Sequence, residues 1–358
     1  MRVAVAGTGA FGRNHLRVYR ELEIAGAGVV LAAAADPDPA RASETAARYA
    51  IPVFASIDEL LSADLGLDAA SVAVPTLQHH AVAVQLLDAG LDVLLEKPVA
   101  ANLEEADDLI QRAEQAGRIL QVGHLERFNP AVVAVQPRLK RPMFFEAHRL
   151  SVFSPRSLDI DVVLDLMIHD LDIVLTFAHS PVREVRAVGL PILSPKVDIA
   201  NVRVEFDSGC VANFTASRVS TERVRKLRFF EPRQYVSIDY ARRELLVIRL
   251  DAEIPGTLPP EIAAMLASGK ADPAMLAQIA AAGGHPSPGL SFVKPEVTPG
   301  EPLRLEIESF LHSVRTRREP RVTARQGREA LALALEIQSA MVAHAHRAGL
   351  QDFFESRV

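Results

Sequence analysis

Two ionisable residues of this sequence have types and a spacing suited to proton transfer. Asp165 and His169 are four residues apart in the segment Asp161–Asp172, which is rich in Val, Leu, Ile and Met. In the helix predicted over Val162–Phe177 they share one face, and the apolar surroundings indicate that the helix is buried. Histidine can take a hydroxyl proton near neutral pH, and the carboxylate can orient it or bind a second hydroxyl. A structural His–Asp pair in the core is the alternative.

A glycine-rich loop near the start of the chain predicts a phosphate site. The apolar run Arg2–Ala6 leads into Gly7-Thr8-Gly9-Ala10-Phe11-Gly12, a G-x-G-x-x-G pattern, and a helical segment follows. The first glycine allows the tight turn and the second lets the backbone approach a pyrophosphate. The third lets the helix pack close to the strand, with its N-terminal amides facing the anion. An ordinary glycine turn is the alternative, but the strand–loop–helix context predicts a bound dinucleotide.

Asp36 ends the next predicted strand, Val29–Ala35, about 20 residues beyond the loop, where an acid is expected to hold the adenosine ribose. A carboxylate there accepts hydrogen bonds from two ribose hydroxyls and repels a 2′-phosphate. The expected cofactor is therefore NAD, with NADP disfavoured. Arg41 lies too far into the following predicted helix to alter this expectation.

The triplet Glu96-Lys97-Pro98 follows the strand-like run Asp92–Leu95. A lysine at a strand end in a nucleotide-binding domain can point into the cleft near the nicotinamide. There its ammonium can hydrogen-bond a substrate hydroxyl and stabilise the alkoxide that forms as hydride leaves. Glu96 and Lys97 are therefore counted among the residues expected at the cofactor. A solvated lysine at the surface is the alternative.

Two other strand ends carry candidate contact residues. Pro75 and Thr76 close one strand and are expected at the cofactor, while His79 begins the next helix near the nicotinamide ribose or is simply a polar first-turn residue. Arg127 and Asn129 follow the last predicted strand, where a substrate would lie between two domains. The planar fork of arginine suits a phosphate or carboxylate, and a domain-linking salt bridge explains Arg127 equally well. The histidines show no paired ligand spacing, so no metal site is predicted.

The elements that must position these residues change character along the chain. From residue 1 to 122, short apolar strands alternate with helical segments, which indicates βαβ units and a doubly wound parallel sheet of the Rossmann type. Ligands in such sheets bind at the carboxyl ends of the strands, where the glycine loop, Asp36, Thr76 and Lys97 all lie. Residues 1–122 are therefore assigned to an α/β NAD-binding domain.

Residues 123–358 are assigned to a separate α+β domain for substrate binding and oligomerisation. Strand-like stretches follow one another with one strong helix between them, a pattern typical of a large open, mainly antiparallel sheet. Such a sheet covers one face with helices, so the free face is a natural subunit interface and predicts an oligomer. Residues 251–300 are rich in Pro, Gly and Ala and predict an irregular excursion, and residues 301–358 predict closing helices.

Composition narrows the function classes. The 358 residues include 39 Lys and Arg against 45 Asp and Glu, a net charge of −6 without a basic block, so a nucleic-acid partner is not expected. No run approaches the ~18 apolar residues of a membrane span. The apolar N-terminus lacks the layout of a signal peptide, and the single cysteine, Cys210, suits a reducing compartment. We expect a cytoplasmic protein that acts on a small molecule.

Taken together and in this order, the motifs resemble those of the Gfo/Idh/MocA oxidoreductases over nearly the whole chain. They are GTGAFG at 7–12, the Asp36-Pro37 strand end, PTLQH at 75–79, EKP at 96–98, GHLERFNP at 123–130 and DLMIHDLD at 165–172. The resemblance implies a Rossmann domain, a second domain whose open sheet builds dimers or tetramers, and a tightly held nicotinamide cofactor. It also implies that Lys97, Asp165 and His169 occupy the catalytic positions, with His169 as general acid/base and Lys97 polarising the reacting oxygen.

Within the family, Asn14-His15 and the GHLERFNP run are similar to nucleotide-sugar 3-dehydrogenases. These enzymes oxidise C3 of UDP-N-acetylglucosamine or its uronate, ahead of an aminotransferase in lipopolysaccharide biosynthesis. The resemblance then implies that Arg127, Arg149 and Arg156 contact the diphosphate. Inositol or free-sugar dehydrogenases, glycosidases that recycle NAD, and non-catalytic regulators that sense NAD or a sugar are the alternatives. The lysine and histidine argue against a regulator, which needs no proton-transfer pair.

Overall fold

The structure of the protein, a computed structural model, describes residues 1–153, 160–250 and 290–350. The first domain is built on six parallel strands: β1 (Arg2–Ala6), β2 (Val30–Ala35), β3 (Val53–Phe54), β4 (Ala69–Val72), β5 (Asp92–Glu96) and β6 (Leu120–Gly123). Their order is β3-β2-β1-β4-β5-β6, so the winding reverses between β1 and β4. The doubly wound parallel sheet is confirmed. The glycine loop leaves β1 at this reversal, where such sheets bind ligands.

Five helices connect these strands: α1 (Ala10–Ile24), α2 (Pro39–Tyr49), α3 (Ile57–Ser62), α4 (His79–Asp88) and α5 (Leu103–Gln115). A side chain caps α5, because the Asn102 carboxamide oxygen accepts a hydrogen bond of 2.8 Å from the Glu105 amide. Helix α1 differs, since Gly9 stands at its cap position and offers no side chain. The first amides of α1 are therefore free to face an anion.

The second domain contains an eight-stranded sheet. Its strands are β7 (Phe144–Leu150), β8 (Val182–Leu190), β9 (Ile199–Phe206), β10 (Val211–Ser217), β11 (Val224–Glu231), β12 (Gln234–Asp239), β13 (Glu244–Leu250) and β14 (Leu290–Val293). The order is β14-β13-β12-β11-β7-β10-β9-β8. Among these strands, β7 and β10 form the one parallel pair, and the other pairs are antiparallel. The mainly antiparallel sheet is confirmed.

The two faces of this sheet have different surroundings. Helices α6 (Pro130–Val135) and α7 (Ile168–Ala178) belong to the covered side. Phe177 of α7 meets Phe229 of β11 edge-on, with ring centroids 6.1 Å apart. On the opposite side Phe230 is partly exposed and stacks on Phe144, with ring centroids 5.4 Å apart. This second side is partly exposed, and charged side chains accompany the aromatic pair on it.

Part of the predicted excursion over 251–300 can be compared with the structure. Residues 251–289 lie outside the described residues. Leu290–Val293 forms β14, an edge strand paired with β13, which the sequence did not predict. In the part of the chain that the structure describes, no helix combines the length and apolar character needed to cross a bilayer.

Two closing helices, α8 (Pro302–Thr316) and α9 (Ala324–Arg347), return the chain to the first domain. Ile307 and Phe310 of α8 are fully buried in one cluster with Val3 and Leu16 of the Rossmann domain. The segment before α9 runs beside β6, where the Val122 amide donates a hydrogen bond of 3.2 Å to the carbonyl oxygen of residue 322. Helix α9 packs against α5 as well as against α7 and β8. Helices α8 and α9 and the segment between them therefore hold the two domains together.

Candidate active site

The geometry of the glycine loop fits a dinucleotide pyrophosphate. Gly7 has φ +85°, a conformation that favours glycine. A Cβ on Gly12 would lie 1.8 Å from the Gly7 carbonyl oxygen, so helix α1 can approach the strand only with glycine there. A Cβ on Gly9 would meet nothing within 4 Å, so open space lies over the N-terminus of α1. Phe11, in the first turn, is 56% exposed. The loop thus offers amides and room for an anion.

Asp36 lies at the end of β2 against this loop. Its Oδ2 accepts hydrogen bonds from the Thr8 amide (2.8 Å) and the Thr8 hydroxyl (2.9 Å). Burial alone would raise the pKa of Asp36, but hydrogen bonds from Arg41, the Asp38 amide and Thr8 hold it below its usual value. Asp36 is therefore an anion beside the predicted cofactor loop.

Arg41 reaches Asp36, which the sequence analysis did not expect. Its Nη2 donates to Asp36 Oδ1 at 3.0 Å, and its Nε lies 3.2 Å from both carboxylate oxygens. The reason is local: Asp38 caps α2, so Arg41 stands in the first turn and its side chain folds back over the strand end. The Asp36 carboxylate that would hold a ribose thus has a guanidinium beside it.

A cavity of about 430 Å³ lies between the domains at the carboxyl ends of the parallel strands. Lys97 lines it from the Rossmann side, and Asp165 and His169 line it from the second domain. Phe11 from the glycine loop also reaches its wall. The structure therefore brings together three residues that the sequence separates widely, and it sets them beside the predicted cofactor loop.

Lys97 is oriented across this cavity. Its ammonium donates a hydrogen bond of 2.8 Å to the main-chain carbonyl oxygen of Asp165. Burial lowers the pKa of Lys97, and the nearby carboxylates of Asp165 and Glu96 offset part of that shift. The Lys97–Pro98 peptide is cis. The side chain is held at the domain boundary as a partly exposed cation.

His169 follows a turn of unusual geometry. Val163–Met167 is a π-helical turn that leads directly into α7, so the predicted helix over Val162–Phe177 is present but wider at its start. Such turns are frequent at functional sites. His169 is partly exposed, and its buried Nδ1 has no partner among the described residues. Burial and the positive charges of Lys97 and Arg149 hold the pKa of His169 well below its usual value, so the imidazole is neutral.

Two residues of the predicted cofactor set have mainly internal partners. The ring nitrogens of His79 lie 2.8 Å from the Pro98 carbonyl oxygen and 3.0 Å from that of Val74. His79 is 1% exposed, so it joins two strand ends from inside the protein, in contrast to the ribose contact expected for it. Glu96 binds His15 of α1, with Oε1 and Nε2 2.9 Å apart, and this hydrogen bond lowers the pKa of Glu96 against the effect of burial.

Pro75 and Thr76 lie at the surface near these groups. Pro75 is exposed and precedes a short 3-10 helix, Thr76–Gln78, in which Thr76 is partly exposed. Both residues follow the end of β4, next to β1 in the sheet. They remain accessible to a ligand over the glycine loop.

Arg127 and Asn129 are turned into the protein, which corrects the substrate contacts predicted for them. Arg127 hydrogen-bonds the Thr176 hydroxyl and lies 3.5 Å from Asp172, both in α7. Asn129 caps α6 through the Ala131 amide at 3.1 Å. For Arg127 the structure agrees with the alternative interpretation, a salt bridge that links the segment after β6 to helix α7 of the second domain.

Arg149 lines the cavity but is heavily paired. Its Nε and Nη2 donate to the two oxygens of Asp170 at 2.7 and 3.1 Å, and its Nη1 donates to Glu126 at 3.1 Å. Burial alone would lower the pKa of Arg149, but the two carboxylates raise it. Its guanidinium also lies over the Tyr240 ring, 5.1 Å from the centroid. Arg156, the other arginine expected at a diphosphate, lies outside the described residues.

Arg225 is a further arginine of the cavity wall, and no local sequence pattern predicted it. It lies on β11 directly opposite Arg149 on β7. A register between two strands far apart in the sequence cannot be read from local pattern. Among the described residues, no group of three or more His, Cys, Asp or Glu side chains is arranged to hold a metal ion.

The fold and the cavity define the class of protein. A Rossmann sheet with a dinucleotide loop faces a second domain that carries an imidazole and a carboxylate, which is the arrangement of a nicotinamide-dependent oxidoreductase. Two family models match this organisation. One, described as an oxidoreductase family with an NAD-binding Rossmann fold, covers residues 1–124. The other, a GFO/IDH/MocA C-terminal domain, covers residues 132–233.

Similar proteins agree with this class. The UDP-N-acetylglucosamine 3-dehydrogenase of Acidithiobacillus ferrooxidans is 34% identical over 348 residues, which are 97% of this chain and 99% of that protein. A solved structure of that enzyme has a TM-score of 0.81 and covers 96% of this chain and 98% of its own. The scyllo-inositol 2-dehydrogenase (NAD(+)) of Bacillus subtilis is 27% identical over 62% of this chain and 68% of that protein. The chain belongs to the Gfo/Idh/MocA family of NAD-binding oxidoreductases.

Proposed function

We propose that this enzyme is an NAD-dependent dehydrogenase that oxidises a secondary alcohol of a sugar, namely C3 of a UDP-amino sugar such as UDP-N-acetylglucosamine. One observation carries the chemistry: Lys97 from the Rossmann domain and His169 from the second domain line one cavity beside the glycine loop. The 34% identity to a UDP-N-acetylglucosamine 3-dehydrogenase over nearly the full length of both proteins supports the proposed substrate.

The cofactor would be held by the residues of the first domain. Gly7, Gly9 and Gly12 leave room for the pyrophosphate, and Asp36 would accept the adenosine ribose hydroxyls. Thr8, Ala10 and Phe11 complete the loop, and Pro75 with Thr76 lies beside it. When bound, NAD supplies the acceptor for the hydride.

Lys97 and His169 would have different roles in oxidation of the alcohol. The neutral imidazole of His169 takes the hydroxyl proton, because burial and nearby cations keep it unprotonated. The ammonium of Lys97 stabilises the negative charge that develops on the oxygen. Asp165 lines the same wall and is suited to a neighbouring hydroxyl. Each domain thus contributes one of the two groups that act on the alcohol.

Oxidation of an inositol is the second candidate. The scyllo-inositol 2-dehydrogenase of Bacillus subtilis is similar to this chain, and oxidation of a ring alcohol would use the same lysine and histidine. The identity to that enzyme is lower and covers less of the chain than the identity to the nucleotide-sugar enzyme. The nucleotide sugar therefore stands first.

Turnover tests the proposal. Purified protein with NAD⁺ and UDP-N-acetylglucosamine should form NADH and a 3-keto nucleotide sugar, detected by absorbance and by mass spectrometry. A panel of nucleotide sugars, inositols and free aldoses supplies the comparison. Activity on inositols or aldoses without activity on any nucleotide sugar would overturn the substrate. Release of a free sugar without net NADH would instead point to glycosidase chemistry with recycled NAD.

The oligomeric state, the cellular compartment and the pathway are proposed on further grounds. The uncovered side of the second sheet, where Phe144 and Phe230 stack at 5.4 Å and are partly exposed, is suited to pairing of subunits into a homodimer or homotetramer. The free thiol of Cys210 suits the reducing cytoplasm. A 3-keto amino sugar is a precursor for lipopolysaccharide, and we place the enzyme in that biosynthesis.

A further inference from the structure

Arg225 is a cation of the cavity wall that the proposed proton transfer does not use. It lies on β11 opposite Arg149 on β7, so both guanidinium groups stand on the same face of the sheet. Like charges directly opposite each other on a sheet destabilise it. A second arginine at this position therefore needs a compensating anion.

The anions of the protein at this point are committed to Arg149. Asp170 binds it through both carboxylate oxygens, at 2.7 and 3.1 Å, and Glu126 binds its remaining nitrogen at 3.1 Å. Arg225 has no hydrogen-bond or ion-pair partner for its side chain among the described residues, and that side chain is exposed. The cavity wall thus carries a guanidinium that no carboxylate among the described residues hydrogen-bonds, although Glu126 and Asp170 stabilise its charge at longer range.

Arg225 and the reacting groups line one cavity but differ in exposure. Lys97 and His169 are partly exposed and flank the position for the alcohol, whereas Arg225 is the more exposed residue, towards solvent. A substrate that places an alcohol between Lys97 and His169 and a negative group near the opening would satisfy both ends. Nucleotide-diphosphate sugars have this layout, with the diphosphate attached to the sugar ring.

We infer that Arg225 binds an anionic group of the substrate, the diphosphate that joins the nucleoside to the sugar. The inference rests on the proposed function. A guanidinium offers two parallel N–H donors that match phosphate oxygens, which gives orientation as well as charge. The sugar would then be held at a fixed distance from Lys97. A carboxylate on the sugar ring, as in a uronate, has related chemistry and is the other possible source of the anion.

The test compares Arg225→Gln with Arg225→Lys and with a matched control, Arg242→Gln. Arg242 is exposed in the turn between β12 and β13, outside the cavity lining. Steady-state kinetics with saturating NAD⁺ give KM and kcat for UDP-N-acetylglucosamine. Calorimetry of the NAD-loaded protein gives the Kd of UDP, which contains the diphosphate without the sugar. Thermal melting of each variant establishes that it is folded.

Loss of a charged hydrogen bond should raise KM and the UDP Kd about 10- to 100-fold in Arg225→Gln, while kcat changes less than about threefold. Arg225→Lys should lie between, because it keeps the charge and loses the fork, and Arg242→Gln should match the wild type. Unchanged KM and Kd in folded Arg225→Gln would overturn the inference and leave the proposed function intact. A KM increase confined to a uronate substrate, with UDP binding unchanged, would overturn the diphosphate and assign the carboxylate.

If the wild type oxidises no nucleotide sugar, the proposed function fails, and the UDP measurement still decides the role of Arg225. Binding of UDP that weakens in Arg225→Gln supports the diphosphate site without the dehydrogenase activity. A wild type that binds no UDP overturns both.

Discussion

The Lys97 ammonium donates a hydrogen bond of 2.8 Å to the main-chain carbonyl oxygen of Asp165, across the boundary between the domains. A carbonyl acceptor orients the lysine without neutralising it, so the positive charge stays available to a substrate oxygen. The same bond makes the position of Lys97 depend on the π-helical turn that presents Asp165. The position of the proposed catalytic lysine and the arrangement of the two domains are therefore coupled at one contact.

Replacement of Lys97 by methionine should remove the charge that we propose stabilises the developing alkoxide. We expect kcat for sugar oxidation to fall by a factor of about 10² to 10³, comparable to loss of one electrostatic donor in other enzymes. NADH formation with the preferred substrate measures the change. The same substitution at Lys196, an exposed loop residue, should leave kcat unaltered. Full activity of Lys97→Met would remove this lysine from the mechanism.

The pH dependence of kcat/KM should reflect two shifted groups. Proton binding to His169 is disfavoured, so the acid limb should lie below the ordinary histidine value of 6.5. Burial makes Lys97 lose its proton more easily, so the alkaline limb should begin below 10.5. Activity is lost on the acid side as His169 gains a proton and on the alkaline side as Lys97 loses one. In His169→Asn the acid limb should vanish along with most of kcat; an unchanged limb would assign it to another group.

Gly12→Ala and Gly9→Ala should separate folding from cofactor binding. The new methyl group at position 12 would lie 1.8 Å from the Gly7 carbonyl oxygen, so we expect a loss of roughly 1–3 kcal/mol or more in the free energy of unfolding. At position 9 nothing lies within 4 Å, so the apo protein should keep its melting temperature while NAD binding weakens. Thermal melting with and without NAD measures both. Equal losses of stability in the two variants would contradict this difference.

The Asp36–Arg41 pair should govern the choice between NAD and NADP. Asp36→Ser removes the carboxylate that repels a 2′-phosphate and leaves the Arg41 guanidinium, now without its 3.0 Å partner, for that phosphate. We expect the ratio of NADP to NAD affinity to rise at least about tenfold, from fluorescence titration with the two reduced cofactors. The double change Asp36→Ser with Arg41→Ala should lose most of that rise. An unchanged ratio in the single variant would show that neither residue reads the 2′ position.

The buried Arg149–Asp170 pair should be a large contributor to stability. Asp170→Asn leaves the Arg149 guanidinium, 3% exposed, with Glu126 as its remaining charged partner among the described residues. Breaking one side of a buried pair costs about 3–5 kcal/mol in the free energy of unfolding. Chemical denaturation measures it. Asp107→Asn, which breaks a surface pair with Arg328, should have a much smaller effect. A similar loss in both variants would mean that burial adds nothing to the first pair.

Local sequence patterns predicted much of this fold because strands and helices with strong apolar periodicity end at clearly recognisable glycine, proline or polar residues. The glycine motif, the strand ends and the helix with Asp165 and His169 each depend on a few neighbouring residues, and the structure has all of them in the expected elements. Since carboxyl ends of parallel strands share one edge, the proximity of Lys97 to the glycine loop follows from topology alone.

Side-chain direction was harder to predict, because it depends on distant partners. Arg127 and Asn129 follow a strand end as expected, yet Asp172, Thr176 and the start of α6 draw both of them inwards. Arg225 escaped notice because its place in the cavity requires the register of β11 against β7, between residues more than 70 positions apart. The contact between Arg41 and Asp36 was not predicted because five positions separate the two residues, although one helical turn brings the Arg41 side chain back to Asp36.

Ile307 and Phe310 fill the same buried cluster as Val3 and Leu16, although about 300 positions separate the two pairs in the sequence. Synthesis runs from the amino to the carboxyl end, so a ribosome makes helix α1 well before helix α8. A nascent chain therefore carries an unfilled apolar groove beside helix α1 until helix α8 has emerged from the exit tunnel. Completion of this core thus waits for a segment that follows the second sheet, and until then its apolar surface stays accessible.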